Sequence, residues 1–291
     1  MLPRTRNERD RKHPKSFCSR VTGNGAEIKL NAAITARMPE ILHLWDYLSD
    51  THVSRLDEAS LHLMRTVGGW IGAEKAFWNG ILRIARGPAA RRDPQHGWRV
   101  RSIQTLQRSG PIDRASAHVL HEQKTGGVPM TNTVLMRDAG RFRACRLRDL
   151  VNLPAFRETE HYKHVYAPFE IVDRIFVVFP VNDEVESLYC FDRLEPQARF
   201  TPHEVQLVAF ALRAIKYFHR ELLFSHGLHV AREPLLPSER RIVAALLTDK
   251  SEKEIAASLG VAYATVHSSV TTVLRKFNVN SRAGLMTLWL Q

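Results

Sequence analysis

An α+β domain with an antiparallel sheet flanked by helices, followed by an all-α domain of four helices, is predicted by three observations on this 291-residue sequence. Two runs rich in β-branched and aromatic residues, "DRIFVVFPV" (173–181) and "ESLYCFDRL" (186–194), are joined by the tight turn Asn182-Asp183-Glu184 and form an antiparallel pair. Segments of helical periodicity lie on both sides of that pair. Past residue 236, four successive segments place their apolar residues at helical spacing.

The leading stretch, residues 1–37, has neither a 3.6 nor a 2.0 period. It holds nine Lys/Arg against three Asp/Glu, half of the chain's net charge of +12. That composition predicts a disordered basic tail. It reads first as a solvated tail or an over-long start with initiation at Met38, and second as a DNA-touching arm. From Met38 a helix places Leu42, Trp45 and Leu48 on one face, and a second follows Arg55 with Leu61 and Met64. "AEKAFWNGILRIAR" (73–86) alternates as a strand, and the turn-rich 87–97 leads into "WRVRSIQTL". A helix over 113–124, a strand-like 141–150 and a helix over 154–164 precede the two clear strands.

The last helix of this domain is expected to run unbroken from Pro202 to Phe224. Val205, Val208, Leu212, Ile215 and Leu222 make one stripe with His219 in step, and Leu207, Ala211, Ala214 and Phe218 make a second. Either one stripe meets the sheet and the other a second copy of the chain, giving a homodimer, or both are buried in one domain. Residues 225–235 read as a linker, which bounds the domains at 38–224 and 236–291.

Composition excludes several classes. Lys plus Arg number 42 against 30 acids, which suits a polyanionic partner. No run approaches the length of a membrane span and no apolar segment follows the charged N-terminus, so a cytoplasmic protein without membrane contact is expected. Three scattered cysteines, Cys18, Cys145 and Cys190, suit reduced thiols better than a disulfide framework or a zinc site. A nucleophile elbow, a Gly-rich phosphate cradle and a two-His helix motif are all missing from the sequence. The chain is therefore not expected to be an enzyme, and no catalytic residue, metal or cofactor is assigned.

The C-terminal segment is the most specific. Ser251 and Glu254 form a capping box that opens a helix burying Ile255, Ala256 and Leu259, and Gly260 ends it. The following helix, about Tyr263 to Phe277, turns Val266, Val270, Val273 and Phe277 inward. Its outer arc holds Ala264, His267, Ser268, Thr271 and Arg275. Short polar groups on that arc let a helix lie deep in a DNA major groove.

Residues 236–290 resemble the LuxR/GerE-type four-helix DNA-binding domain. The resemblance is carried by Pro237-Ser238-Glu239-Arg240, "SEKEIAASLGV" (251–261), "TVHSSVTTVLRKF" (265–277) and "VNSR" (279–282). It implies a transcriptional regulator with base contacts from His267, Ser268 and Thr271. Phosphate contacts would come from Lys253, Thr265, Arg275 and Lys276. It also implies a homodimer on a pseudo-palindromic double-stranded operator. The sequence departs from the family at Leu236, Ala262 and Gly284, where capping residues are expected, and at His267, where Lys is frequent.

Such a regulator needs an input. The element order of 38–224 resembles a GAF- or PAS-like sensor, with a small-molecule effector as the expected ligand. Trp78 and Asp93-Pro94 also resemble a pattern of acyl-homoserine-lactone receptors, although Leu82 stands where Tyr is expected. Trp45, Trp70, Trp78, Asp93 and Trp98 are the candidate pocket residues on these grounds, while plain core is the other reading of the aromatics. The rival from a different class is a ligand- or partner-docking protein whose terminal helices only mediate assembly.

Overall fold

Asn31 caps the first helix of the described residues. Its side-chain carbonyl accepts the Ile34 amide at 3.0 Å, and helix α1 (Ala32–Asp50) follows, burying Ile34, Ile41, Leu44 and Leu48. In this computed structural model the described residues are 30–107, 118–119, 121–122, 130–228, 231 and 233–290. The helix therefore starts ahead of Met38, because Asn31 supplies a cap that the period alone does not reveal. Most of the expected tail lies outside the described residues, as does most of the helix expected over 113–124.

Helix α2 (Leu56–Trp70) leads to strand β1 (Lys75–Arg83), the short α3 (Gly87–Arg92) and β2 (Trp98–Thr105). Helix α4 (Met130–Arg137) precedes β3 (Arg143–Arg146), α5 (Leu147–Leu150) and α6 (Leu153–Arg157). A π turn at Tyr162–Tyr166 then leads to β4 (Ile171–Pro180) and β5 (Val185–Leu194). The five strands form one sheet in the order β2-β1-β5-β4-β3 with every neighbouring pair antiparallel. The strand expected over 141–150 is shorter than its pattern, since α5 starts at Leu147 and takes over its second half.

Both faces of the sheet are covered. On one, Trp78 and Val177 each pair with Tyr189, and all three pack beneath α1, α2, α7 (Pro202–Arg213) and α8 (Lys216–Ser225). On the other, Phe77 and Phe176 flank Cys190, and Phe176 pairs with Cys145, within a core that includes Leu135, Leu147 and Phe156. Cys145 and Cys190 are both buried and not disulfide-bonded, as expected for packing thiols. The β1–β2 register shifts beside Gly80, where Gly80 faces Ser102 and Ile81 faces Val100, leaving Arg101 as the extra residue. That bulge switches the alternation along β2.

The expected 202–224 helix is broken. Thr201 and Glu204 cap α7 reciprocally, but the chain leaves helical geometry at Ile215 before α8 resumes. The cause is visible in His219, whose Nε2–H donates to the Leu212 carbonyl at 2.8 Å and satisfies the end of α7. Both apolar stripes are largely spent within the chain: Leu207, Ala211 and Phe218 are as buried as Val205, Val208 and Leu222, while Ala214 of the second stripe is exposed.

The C-terminal helices are α9 (Pro237–Leu246), α10 (Glu252–Leu259), α11 (Tyr263–Phe277) and α12 (Arg282–Thr287). Ile242, Leu246, Ile255, Val266, Val270, Val273, Phe277 and Leu285 form their core, which also takes in Phe224 from α8. Gly260 ends α10 in the left-handed conformation at φ 65°, as its position requires.

Burial pushes the His219 imidazolium down to about 4. The unfolded chain takes up this proton below about 6.5, so stability is lost as pH falls from there toward 4. Asp173, raised by burial to about 6, acts in the opposite sense over a similar range, so the comparison must be between variant and parent. His219→Phe should gain on the parent by up to about tenfold in folding equilibrium per pH unit between 6 and 4. Urea unfolding at stepped pH measures it, and parallel profiles would refute a buried neutral His219.

Candidate nucleic-acid interface and cavity

Helix α11 separates its residues cleanly. Val266, Val270, Val273 and Phe277 are buried, whereas Ala264, Thr265, His267, Ser268, Thr271 and Arg275 are exposed. Lys253 is exposed on α10. His267 stacks against Tyr263 and its Nδ1 lies 3.0 Å from Glu252 Oε2, which leaves Nε2 for an external partner. The Thr271 hydroxyl donates to the His267 carbonyl at 3.0 Å, so its methyl and oxygen lone pairs are what it can offer a base edge. Ala262 gives α11 no side-chain cap, as expected from the sequence.

A cavity of about 140 Å³ opens between the sheet and α4, on the face opposite α1 and α2. Phe77, Ile81, Val100, Ile103, Met136 and Phe176 supply its apolar wall. Arg174 crosses its floor, with Nη2 2.8 Å from Asp192 Oδ2 and Nη1 donating to the Tyr166 hydroxyl at 3.0 Å. Its guanidinium lies between the Phe77 and Tyr166 rings, at 4.7 and 4.4 Å. Lys75 reaches the wall with its ammonium over the Phe169 ring, and burial holds its pKa below the ordinary lysine range. Asn79 also lines the cavity, 7% exposed, and its Oδ1 has no hydrogen-bond partner. Such an atom is costly unless something donates to it.

None of the five sequence-derived pocket residues lines this cavity. Trp45, Trp70 and Trp78 belong to the opposite core, where Trp45 donates to the Ala211 carbonyl and Trp78 to Ser187 Oγ. Trp98 is buried on the cavity's side of the sheet but away from its walls. Asp93 instead holds its own turn, accepting the Gly97 amide at 2.7 Å and Arg99 Nη1 at 2.8 Å. The aromatic and Asp-Pro pattern that suggested a lactone receptor therefore does not converge on the cavity. Asn79 and Arg174 were missed because strand alternation shows two faces without saying which one is hollow.

Residues 233–289 match the family described as bacterial regulatory proteins, luxR family. The C-terminal domain belongs to the luxR family. No curated protein matches the chain. Among solved structures the chain is similar to SdiA in complex with octanoyl-rac-glycerol, at 12% identity over 89% of this chain and 94% of that one, with a TM-score of 0.43. A crystal structure of Escherichia coli SdiA follows at 14% identity, 87% and 94% coverage and a TM-score of 0.41. The VqsR LBD domain from Pseudomonas aeruginosa follows at 14%, 67% and 98%, with 0.40.

Within the luxR-family domain, one expected phosphate contact is withdrawn. Lys276 Nζ lies 2.7 Å from Glu239 Oε2 and 3.3 Å from the Pro234 carbonyl, with both charged side chains largely buried. Glu239 also accepts the Leu236 amide at 2.7 Å, which supplies half of the cap that Leu236 itself cannot make. Lys276 therefore joins α11 to the start of α9. Lys276→Ala should destabilise the domain by about 3 kcal/mol, because it strands a buried carboxylate. Urea unfolding at neutral pH checks this, and a loss of DNA affinity at unchanged stability would restore Lys276 to the phosphate contacts.

Proposed function

We propose that the chain is a cytoplasmic transcription regulator that reads double-stranded DNA through α11 and responds to a small molecule held in the cavity. The observation that carries the DNA-reading half is the exposed arc of α11. Its short side chains allow the helix axis to approach base edges, and its membership in a luxR-family domain supplies the context. His267, Ser268 and Thr271 read bases in this proposal, and Lys253, Thr265 and Arg275 hold phosphates. Two copies on a pseudo-palindromic operator would set their α11 helices roughly 34 Å apart.

The effector half rests on the cavity. Its apolar wall, the spare carbonyl of Asn79 and the Lys75 ammonium suit an amphipathic molecule with a polar end. A route between the halves is present. Asp57, in the first turn of α2, accepts from His226 Nε2 at 2.9 Å and lies 3.4 Å from Arg240 Nε of α9. His226 also meets Ser102 of β2 and the Trp78 ring, so this junction reaches the sheet that forms the cavity's floor.

Selection of randomised duplex DNA by the full-length protein at two salt concentrations tests the reading. A two-fold-symmetric motif lost at high salt is expected, and enrichment of nothing with or without cell extract metabolites would sink it. His267→Ala should relax preference at one position of each half-site. Lys253→Ala and Arg275→Ala should each weaken all sequences alike and lower the slope of log K against log salt by about 1.

A further inference from the structure

A histidine and a glutamate one helical turn apart converge beside the cavity with a second histidine from 39 residues further along the chain. His118 and Glu122 are four residues apart in helical backbone and so share a face. His161 comes from the segment between α6 and the π turn. One ligand atom from each of the three lies within 4.8 Å of the others. His118 Nε2 stands 3.4 Å from Glu122 Oε1, and His161 Nδ1 stands 2.8 Å from Glu122 Oε2.

We infer that His118, Glu122 and His161 bind a transition-metal ion, with Zn²⁺ the best match to the donors. Two imidazoles and one carboxylate form a borderline donor set, which disfavours Mg²⁺ and Ca²⁺. Bonds of about 2.0–2.1 Å to zinc put tetrahedral ligand atoms about 3.3 Å apart, close to the His118–Glu122 separation. On binding, the hydrogen bond between His161 and Glu122 is replaced by bonds from His161 Nδ1 and the Glu122 carboxylate to the ion, the ring's one proton residing on Nε2.

The surroundings support the ligands rather than compete with them. His118 Nε2 is buried and makes no well-formed hydrogen bond, its contact with Glu122 Oε1 being a loose one at 3.4 Å. The His118 ring stacks on His164 at 4.4 Å and 12°, which fixes its plane. The His164 Nδ1 is in turn held by the Glu160 carbonyl at 2.9 Å. Phe156 and Tyr166 pack against the His161 ring. Rings fixed in this way are what an outer shell gives a metal site. His161 also lines the cavity, so the ion would sit in its wall with the fourth position for water or a donor atom of a bound molecule. The site is independent of the effector reading, because its three ligands require no occupant of the cavity.

Untagged full-length protein, stripped with a chelator and dialysed, is titrated with Zn²⁺ and separately with Co²⁺. One equivalent of zinc per chain is expected, together with the intense visible absorption of tetrahedral Co²⁺. His118→Ala, Glu122→Gln and His161→Ala should each lower zinc affinity by more than the 10–100-fold that loss of an outer-shell partner typically causes. His164→Ala, which leaves all three ligands in place, should stay within that range. Circular dichroism monitors folding, and if His161→Ala does not fold, the more exposed His118→Ala decides the question. Unchanged stoichiometry and affinity in the ligand variants would overturn the site, as would a weak octahedral Co²⁺ spectrum.

Discussion

A sheet buried on both faces is the constraint on which the rest of this protein depends. Once β4 and β5 are covered on each side, strand alternation sorts every residue into one of two compartments. Trp78, Val177 and Tyr189 go to the helix-packed side, and Phe77, Phe176 and Cys190 go to the other. The bulge at Arg101 changes the parity of the edge strand β2. Trp98 and Val100 before it then share a face with Ile103 and Thr105 after it, while Ser102 and Gln104 turn to the opposite side. The same bulge thus completes the cavity on one face and delivers Ser102 to His226 on the other.

The C-terminal domain is joined to that second face by two kinds of contact. Phe224, near the end of α8, packs against Phe277 and Trp289, with ring centroids 5.9 and 4.1 Å away, and so belongs to the C-terminal core. Around it the polar junction of Ser102, His226, Asp57 and Arg240 fixes direction. Asp57 is held below the ordinary carboxylate range by His226 and Arg240 against the opposing effect of burial. Its side chain is 45% exposed, so the junction orients the domain more than it stabilises it. A helix that starts uncapped at Ala262 gains from this docking what it lacks locally.

Legibility in the sequence followed the range of the deciding interaction. The Ser251–Glu254 box, the Gly260 stop and the inward valines of α11 are settled within a few residues, and all three are present as expected. The antiparallel pair β4–β5 was equally legible from its tight turn. The break in the 202–224 helix was not, since a side chain seven residues on, His219, decides it. The pocket tryptophans were misplaced because residue type gives size and polarity, whereas the hollow face is set by which helices cover the sheet. The His118–Glu122 spacing was visible, but its third member lies 39 residues away from Glu122, and only the fold brings it near.

Charge shows the same division between what composition suggests and what geometry allows. Seven Lys/Arg lie between residues 236 and 291. Three are committed inside the protein: Arg240 to Asp57, Lys276 to Glu239, and Arg282 to the last carbonyls of α9 and its following turn. Arg282 Nε donates to Leu246 at 2.7 Å, Nη1 to Lys250 at 2.6 Å, and Nη2 to Thr248. That arrangement satisfies carbonyls a helix end leaves open, and it favours a cation at the negative end of the dipole. Arg241, Lys250, Lys253 and Arg275 remain exposed. A net charge read from composition therefore overstates the electrostatic attraction that this domain can direct at a polyanion. Much of what distinguishes one sequence from another must then fall to the short polar groups of α11, because phosphate contacts hold register without reading it.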